Sequence, residues 1–228
     1  MEQDNGIIKS VGETILECNS DLFTDVAEIG LDFVFDESPL AELPFVKTVF
    51  SFAKTGLAIR ERHMINKTLR FINKLNSNNI DSKEYDEYKQ RIKDNDKELY
   101  KELEHIVLIL DKVVEKEKAD ILANLYSAYV NKKVSWGDFK NFSLVLDNFL
   151  LLDTTTLRML YDRPHQLNDM EDSVGSASRL ISLGLAYKIN PYKRNPITKN
   201  ISFIPPKNDV AITEFGRRFF QYGLLERK

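Results

Sequence analysis

Few side chains in this sequence could do more than pack or solvate: three histidines, one cysteine and a dispersed set of carboxylates. A metal centre needs ligands drawn together by short, regular spacing. His63, His105 and His165 show neither an HxxxH nor an HExxH pattern. His63 follows Arg60, Glu61 and Arg62 and reads as a surface residue of a basic helix. His105 lies beside the apolar face of its helix and reads as a packing residue. His165 follows Pro164 in a loop, the ordinary place for a solvated imidazole. Cys18 has no neighbouring His and no helix start to lower its pKa, so a thiolate nucleophile is unsupported. A lone cysteine gives no disulfide framework and points to a reducing, cytoplasmic setting. There is no GxxxxGKS/T loop and no GxGxxG fingerprint to cradle phosphate. The Asp and Glu residues fall on the expected surfaces of helices. The sequence therefore predicts a binding protein rather than an enzyme, with no metal and no cofactor.

What the chain offers instead is organised positive charge. The net charge is −3, yet residues 154–228 hold 12 basic and 7 acidic side chains while residues 1–153 hold 20 and 28. A basic C-terminal module on an acidic body is what a nucleic-acid binder needs. A second basic set lies between Leu43 and Leu75, where Lys47, Lys54, Arg60, Arg62, Lys67, Arg70 and Lys74 face Glu61 alone. Two readings of that set stand side by side. In one, a basic helix packs against an acidic amphipathic helix over residues 13–35, within one chain or across a homodimer. In the other, Lys47, Lys54, Arg60, Lys67 and Arg70 form a surface for an anionic membrane, a protein partner or nucleic acid. A membrane span is not expected, because about 20 apolar residues are needed and lysines interrupt this run.

The elements that must carry these residues are mostly helices. Seven Pro and nine Gly in 228 residues, 43% of them hydrophobic, favour helices over a strand-rich sandwich. The N-terminal sequence MEQDNGIIKSVGE lacks the basic and apolar regions of a secretory signal. Residues 1–152 predict a bundle of about five helices. The first covers 13–35, with Ser38 and Pro39 as cap and first residue of the next. Asp81 and Glu84 have the spacing of a cap and its partner. They open a charged, Tyr-bearing helix, expected to be solvated, that from Leu99 to Val114 gains a core face. A further helix packs Ile121, Leu122, Leu125 and Tyr129, and Ser135 with Asp138 forms a capping box before FKNFSLVLDNFLLL. Phe139, Phe142, Phe219 and Phe220 sit at core spacing.

Residues 153–228 change pattern. DTTTLRMLYD predicts a short helix capped by Asp153 or Thr154. Asp169 and Asp172 can cap the next, which ends at Gly184 in a left-handed C-terminal position. LAYKI, ISFI and DVAIT supply strands, and a last helix starts at Thr213, with Gly216 allowing close packing. Over about 70 residues this order resembles the winged-helix family, the resemblance resting on ASRLISLGLAYKI and VAITEFGRRFFQYGL. It implies a mainly α chain, an N-terminal helical bundle followed by a winged-helix-like α+β domain. It also implies that Ser173, Ser176 and Arg179 face outward from a recognition helix that can touch DNA. Lys193, Arg194 and Lys199 would then lie on the wing. Only Arg179 and small serines are offered to bases, and Asp169, Glu171 and Asp172 repel phosphate from that helix start, so the wing would contact backbone rather than sequence. The closing segment ITEFGRRFFQY also resembles bacterial and phage-borne proteins linked to abortive infection.

Overall fold

The computed structural model describes residues 2–17, 39–52, 59–162, 173–189, 192–194, 201–203 and 210–225. The structure is mainly helical, with short antiparallel strand pairs near its C-terminal end. It divides into two compact units, Met1–Asp147 and Asn148–Lys228.

The first unit carries α1 (Glu2–Glu17), a 3-10 turn (Pro39–Glu42), α2 (Pro44–Phe52), α3 (Ile59–Ser77), α4 (Ser82–Lys93), α5 (Lys97–Lys112), α6 (Lys118–Val130) and α7 (Trp136–Asn148). Those are more and shorter helices than the expected five. The long helix expected from Lys83 to Val114 breaks at Asp94–Asp96. Asn95 there adopts φ 51°, which Asn tolerates better than most side chains, and the Asp96 carboxylate accepts from the Leu99 amide at 2.7 Å to start α5. α5 then stops at Lys112, which leaves Val114 84% exposed rather than in the core. α1 begins well before Glu13; the remainder of the acidic helix, from Cys18, and the Ser38 cap lie outside the described residues. Pro39 opens a 3-10 turn and not an α-helix.

Local chemistry accounts for the helix starts that follow. Asp81 Oδ1 accepts from the amides of Lys83 and Glu84. Ser135 Oγ accepts from the Asp138 amide at 3.1 Å while Asp138 Oδ2 accepts from the Ser135 amide at 3.1 Å, a reciprocal capping box. α6 is buried nearly all round, with Ala119, Ala123 and Ala128 among its covered residues, and its closest partner is α3. The aromatic core gathers around Tyr126, whose ring lies 6.1 Å from Phe71, 5.3 Å from Phe139 and 5.8 Å from Tyr88. Tyr88 is 3% exposed, so the Tyr-bearing helix is not solvated on that face. Nor are all carboxylates superficial: Glu102 is buried and accepts from Arg91 Nη2 at 2.9 Å, the Tyr126 hydroxyl at 3.1 Å and the Tyr129 hydroxyl at 2.9 Å. Burial and then the Glu102 carboxylate push the Tyr129 phenol up to about 12, so it remains a donor.

The second unit contains a 3-10 turn (Leu151–Asp153), α8 (Thr154–Asp162), α9 (Ser173–Ser182), β1 (Ala186–Lys188), β2 (Tyr192–Arg194), β3 (Ile201–Phe203), β4 (Val210–Ile212) and α10 (Glu214–Phe219), continued by a π-helical turn to Leu224. β1 pairs with β4 in the register Ala186–Ile212, Tyr187–Ala211, Lys188–Val210. β2 pairs with β3 as Tyr192–Phe203, Lys193–Ser202, Arg194–Ile201. The second pair is thus nested inside the connection between the strands of the first. The segment expected as a basic loop before ISFI contains β2. Gly184 adopts φ +73° and ends α9 as the sequence predicts. Thr213 Oγ1 accepts from the Gly216 amide at 2.8 Å and donates to Gly184 O at 2.7 Å, so one side chain starts α10 and ties it to the α9–β1 turn. Gly216 sits where a Cβ would lie 2.0 Å from Leu185 O. Phe149, Phe219 and Phe220 are fully buried in this unit.

Candidate nucleic-acid interface

Ser176 on α9 does not face outward as expected, and Arg179, part exposed, is held by a carboxylate. Ser176 is 5% exposed and donates to Asp153 Oδ1 at 2.6 Å. Arg179 grips the same carboxylate with two parallel bonds, Nε to Oδ2 at 2.8 Å and Nη2 to Oδ1 at 2.6 Å. Asp153 has no exposed surface, and its carboxylate is the anchor of this clasp. Burial alone would raise the Asp153 carboxyl, but the bonds from Arg179 and Ser176 outweigh it and hold it below the usual carboxylate range. The Asp153 hydrogen bond in turn raises the Arg179 guanidinium. The Arg179 charge is thus paired within the unit while the side chain stays part exposed, and Ser176 fits against a buried carboxylate. The cause was hidden from sequence because Asp153 and Arg179 stand 26 residues apart. The Asp169 and Asp172 caps and the side chain of Ser173 lie outside the described residues.

Other cations on the helices of this unit are also engaged. The Arg158 guanidinium lies over the Phe220 ring at 5.2 Å and the Arg217 guanidinium over Tyr161 at 5.3 Å. The strands differ. Lys188 on β1 is exposed and makes no ion pair, and Lys193 and Arg194 occupy β2 opposite Ser202 and Ile201. Lys199 lies outside the described residues. From Ser173 to Asn208 the chain carries Arg179, Lys188, Lys193, Arg194, Lys199 and Lys207 and not a single carboxylate.

The alternative surface, between Leu43 and Leu75, is largely neutralised by its neighbours. Lys47 is exposed but pairs with Glu42 at 2.6 Å. Arg60 binds Asp111 through both Nε and Nη2, at 3.2 and 2.5 Å. Arg70 binds Asp120 in the same way, at 2.8 and 2.5 Å. Lys67, expected on the surface, is 5% exposed; its Nζ donates to Val113 O at 2.7 Å and supplies a partner to the carbonyl end of α5. Burial lowers the Lys67 ammonium, and Asp111 opposes that shift. Among the described residues the acidic partners of this stripe are Glu42 of the 3-10 turn, Asp111 of α5 and Asp120 of α6, and Lys54 lies outside them. Among the described residues no helix is long and apolar enough to cross a membrane.

Of the remaining chemistry-bearing groups, His105 is committed to packing, while Cys18 and His165 lie outside the described residues. His105 Nε2 lies 2.8 Å from Ser143 Oγ, and Ser143 Oγ donates to Lys140 O at 2.8 Å. With the serine proton directed to a carbonyl, His105 is the donor of that contact, the reverse of a base that activates a hydroxyl. Trp136 and Phe139 meet the imidazole edge-on. A cavity of about 240 Å³ opens between α1 and the α4–α5 turn over Ile8, Leu99 and Leu103. Its rim charges Lys9 and Arg91 are matched by Glu13 and Asp96. No three His, Cys, Asp or Glu side chains among the described residues cluster as metal ligands would. Comparison with protein-family models, curated proteins and solved structures yields no match.

Proposed function

We propose that this chain is a non-enzymatic nucleic-acid-binding protein whose C-terminal unit works as a winged-helix-like module, with the hairpin nested between β1 and β4 as its wing. One observation carries the reading: the long stretch from Ser173 to Asn208 is free of carboxylates and forms α9 and the first three strands. Of its cations, Arg179 is held by Asp153, so the positive charge available to a polyanion belongs to the strands and the connections between them. Such a surface meets phosphates and positions the partner without reading bases. The order α8, α9, β1, nested hairpin, β4, α10 is compatible with a wing that departs from a small helical core.

The test is fluorescence anisotropy of the full chain against a random DNA duplex at low ionic strength, beside the Lys193→Glu/Arg194→Glu variant. The expected result is measurable binding by the wild type and loss of about tenfold or more on charge reversal, since each phosphate contact carries part of a strongly electrostatic affinity. Wild-type chain that leaves both this duplex and a single strand of equal length free at low salt overturns the reading.

A further inference from the structure

Tyr187 is half exposed, at 50% of its accessible surface, in a pair of strands whose other described residues are buried apart from Lys188. An isolated exposed aromatic is ordinary on a protein surface. Three things set this one apart. Its cross-strand neighbour is Ala211, too small to cover a phenol ring. Among the described residues it makes no ring contact, ion pair or side-chain hydrogen bond, whereas Tyr85, Tyr88, Tyr126, Tyr129 and Tyr161 all lie against other rings. And it stands inside the carboxylate-free stretch, followed in sequence by Lys188, exposed and without an ion pair among the described residues, and by Lys193 and Arg194. Ala186 is 3% exposed, so β1 leaves the core at Tyr187.

An open aromatic face in a stretch that carries cations and no carboxylate is a combination that binds single-stranded nucleic acid. The cations follow the phosphates, and the ring takes a base, which only an unpaired strand presents face-on. Duplex hides its base faces and leaves such a ring without use. We propose that Tyr187 is a base-stacking residue and that the C-terminal unit takes single-stranded nucleic acid in preference to duplex. This inference rests on the nucleic-acid reading above and adds to it the class of strand.

The experiment uses the full chain with labelled oligo(dT) and oligo(U) of about 20 nucleotides and a duplex of equal length, long enough to fill one binding site. It compares wild type, Tyr187→Ala, Tyr187→Trp and Lys193→Glu/Arg194→Glu. Single strands are expected to bind more tightly than duplex. Tyr187→Ala should weaken the single-strand complexes by about 5- to 150-fold, the range of one lost base stack, with duplex binding unchanged. Tyr187→Trp should restore the single-strand affinity, which a merely destabilised fold would not allow. Duplex binding that falls on Lys193→Glu/Arg194→Glu while Tyr187→Ala leaves every affinity unchanged overturns the stacking role and spares the parent reading. Absence of binding to all three probes overturns both.

Discussion

His105 is a residue whose protonation the fold opposes. Burial between α5 and α7 lowers the imidazole, and the charges that face it are both positive: Lys112 on its own helix and Lys140 on α7. Ser143, Trp136 and Phe139 complete its surroundings without a carboxylate to offset them. The folded value therefore lies below the unfolded value of about 6.5. A depressed histidine contributes stability that is whole above the unfolded value and is lost as pH falls through it toward the folded one. Urea midpoints measured from pH 7.5 down to pH 5 should fall more steeply for wild type than for His105→Gln. Parallel curves would show that the imidazole charges without cost. Lys67 offers a second residue-scale contrast. Lys67→Met leaves the last carbonyls of α5 without their donor and should cost about 1–3 kcal/mol. Lys47→Met removes an exposed pair and should stay within about 1 kcal/mol. Equal losses in chemical denaturation would mean that the two lysines share one environment.

At the scale of elements, the critical contact is the one that seats α10 on the α9–β1 turn. Gly216 has no room for a Cβ because Leu185 O occupies the space, and backbone cannot swing aside as a side chain can. Gly216→Ala should destabilise the chain by about 1–3 kcal/mol or more, read as a lower thermal or urea midpoint. A neutral substitution would require α10 to sit farther from Leu185. This was legible in sequence, as were Thr213, Gly184, Asp81 and the Ser135–Asp138 box, because caps and close-approach glycines depend on a few neighbouring residues. The clasp of Asp153 with Arg179 and Ser176 was not, and neither was the burial of Lys67 and Glu102. Each joins groups distant in sequence, and a charged side chain written in a helix pattern looks solvated until its partner is known. Lys67 and Lys118 share one device that no local pattern announces. Lys67 donates to Val113 O at the end of α5, and Lys118 donates to Asp147 O near the end of α7. Both bring a cation to the negative pole of another helix.

Across the whole molecule, charge is the property that separates the readings, because the two basic sets differ in what already neutralises them. The stripe on α2 and α3 meets Glu42, Asp111 and Asp120, so it has little counterion atmosphere to exchange with a polyanion. The strand region of the C-terminal unit has no carboxylate of its own sequence to meet. Counterion release counts the cations that reach phosphates: for duplex DNA the logarithm of affinity falls with the logarithm of salt with a slope of about −0.9 per phosphate neutralised, and about −0.7 for single strands. In a salt series on the full chain, Lys193→Glu/Arg194→Glu should flatten that slope by about two such increments. Lys47→Glu together with Arg62→Glu reverses two charges at the other set and should leave slope and affinity as in wild type. The opposite outcome, a slope that responds to Lys47 and Arg62 and ignores Lys193 and Arg194, would move the polyanion surface to the N-terminal unit and leave the strands a structural role.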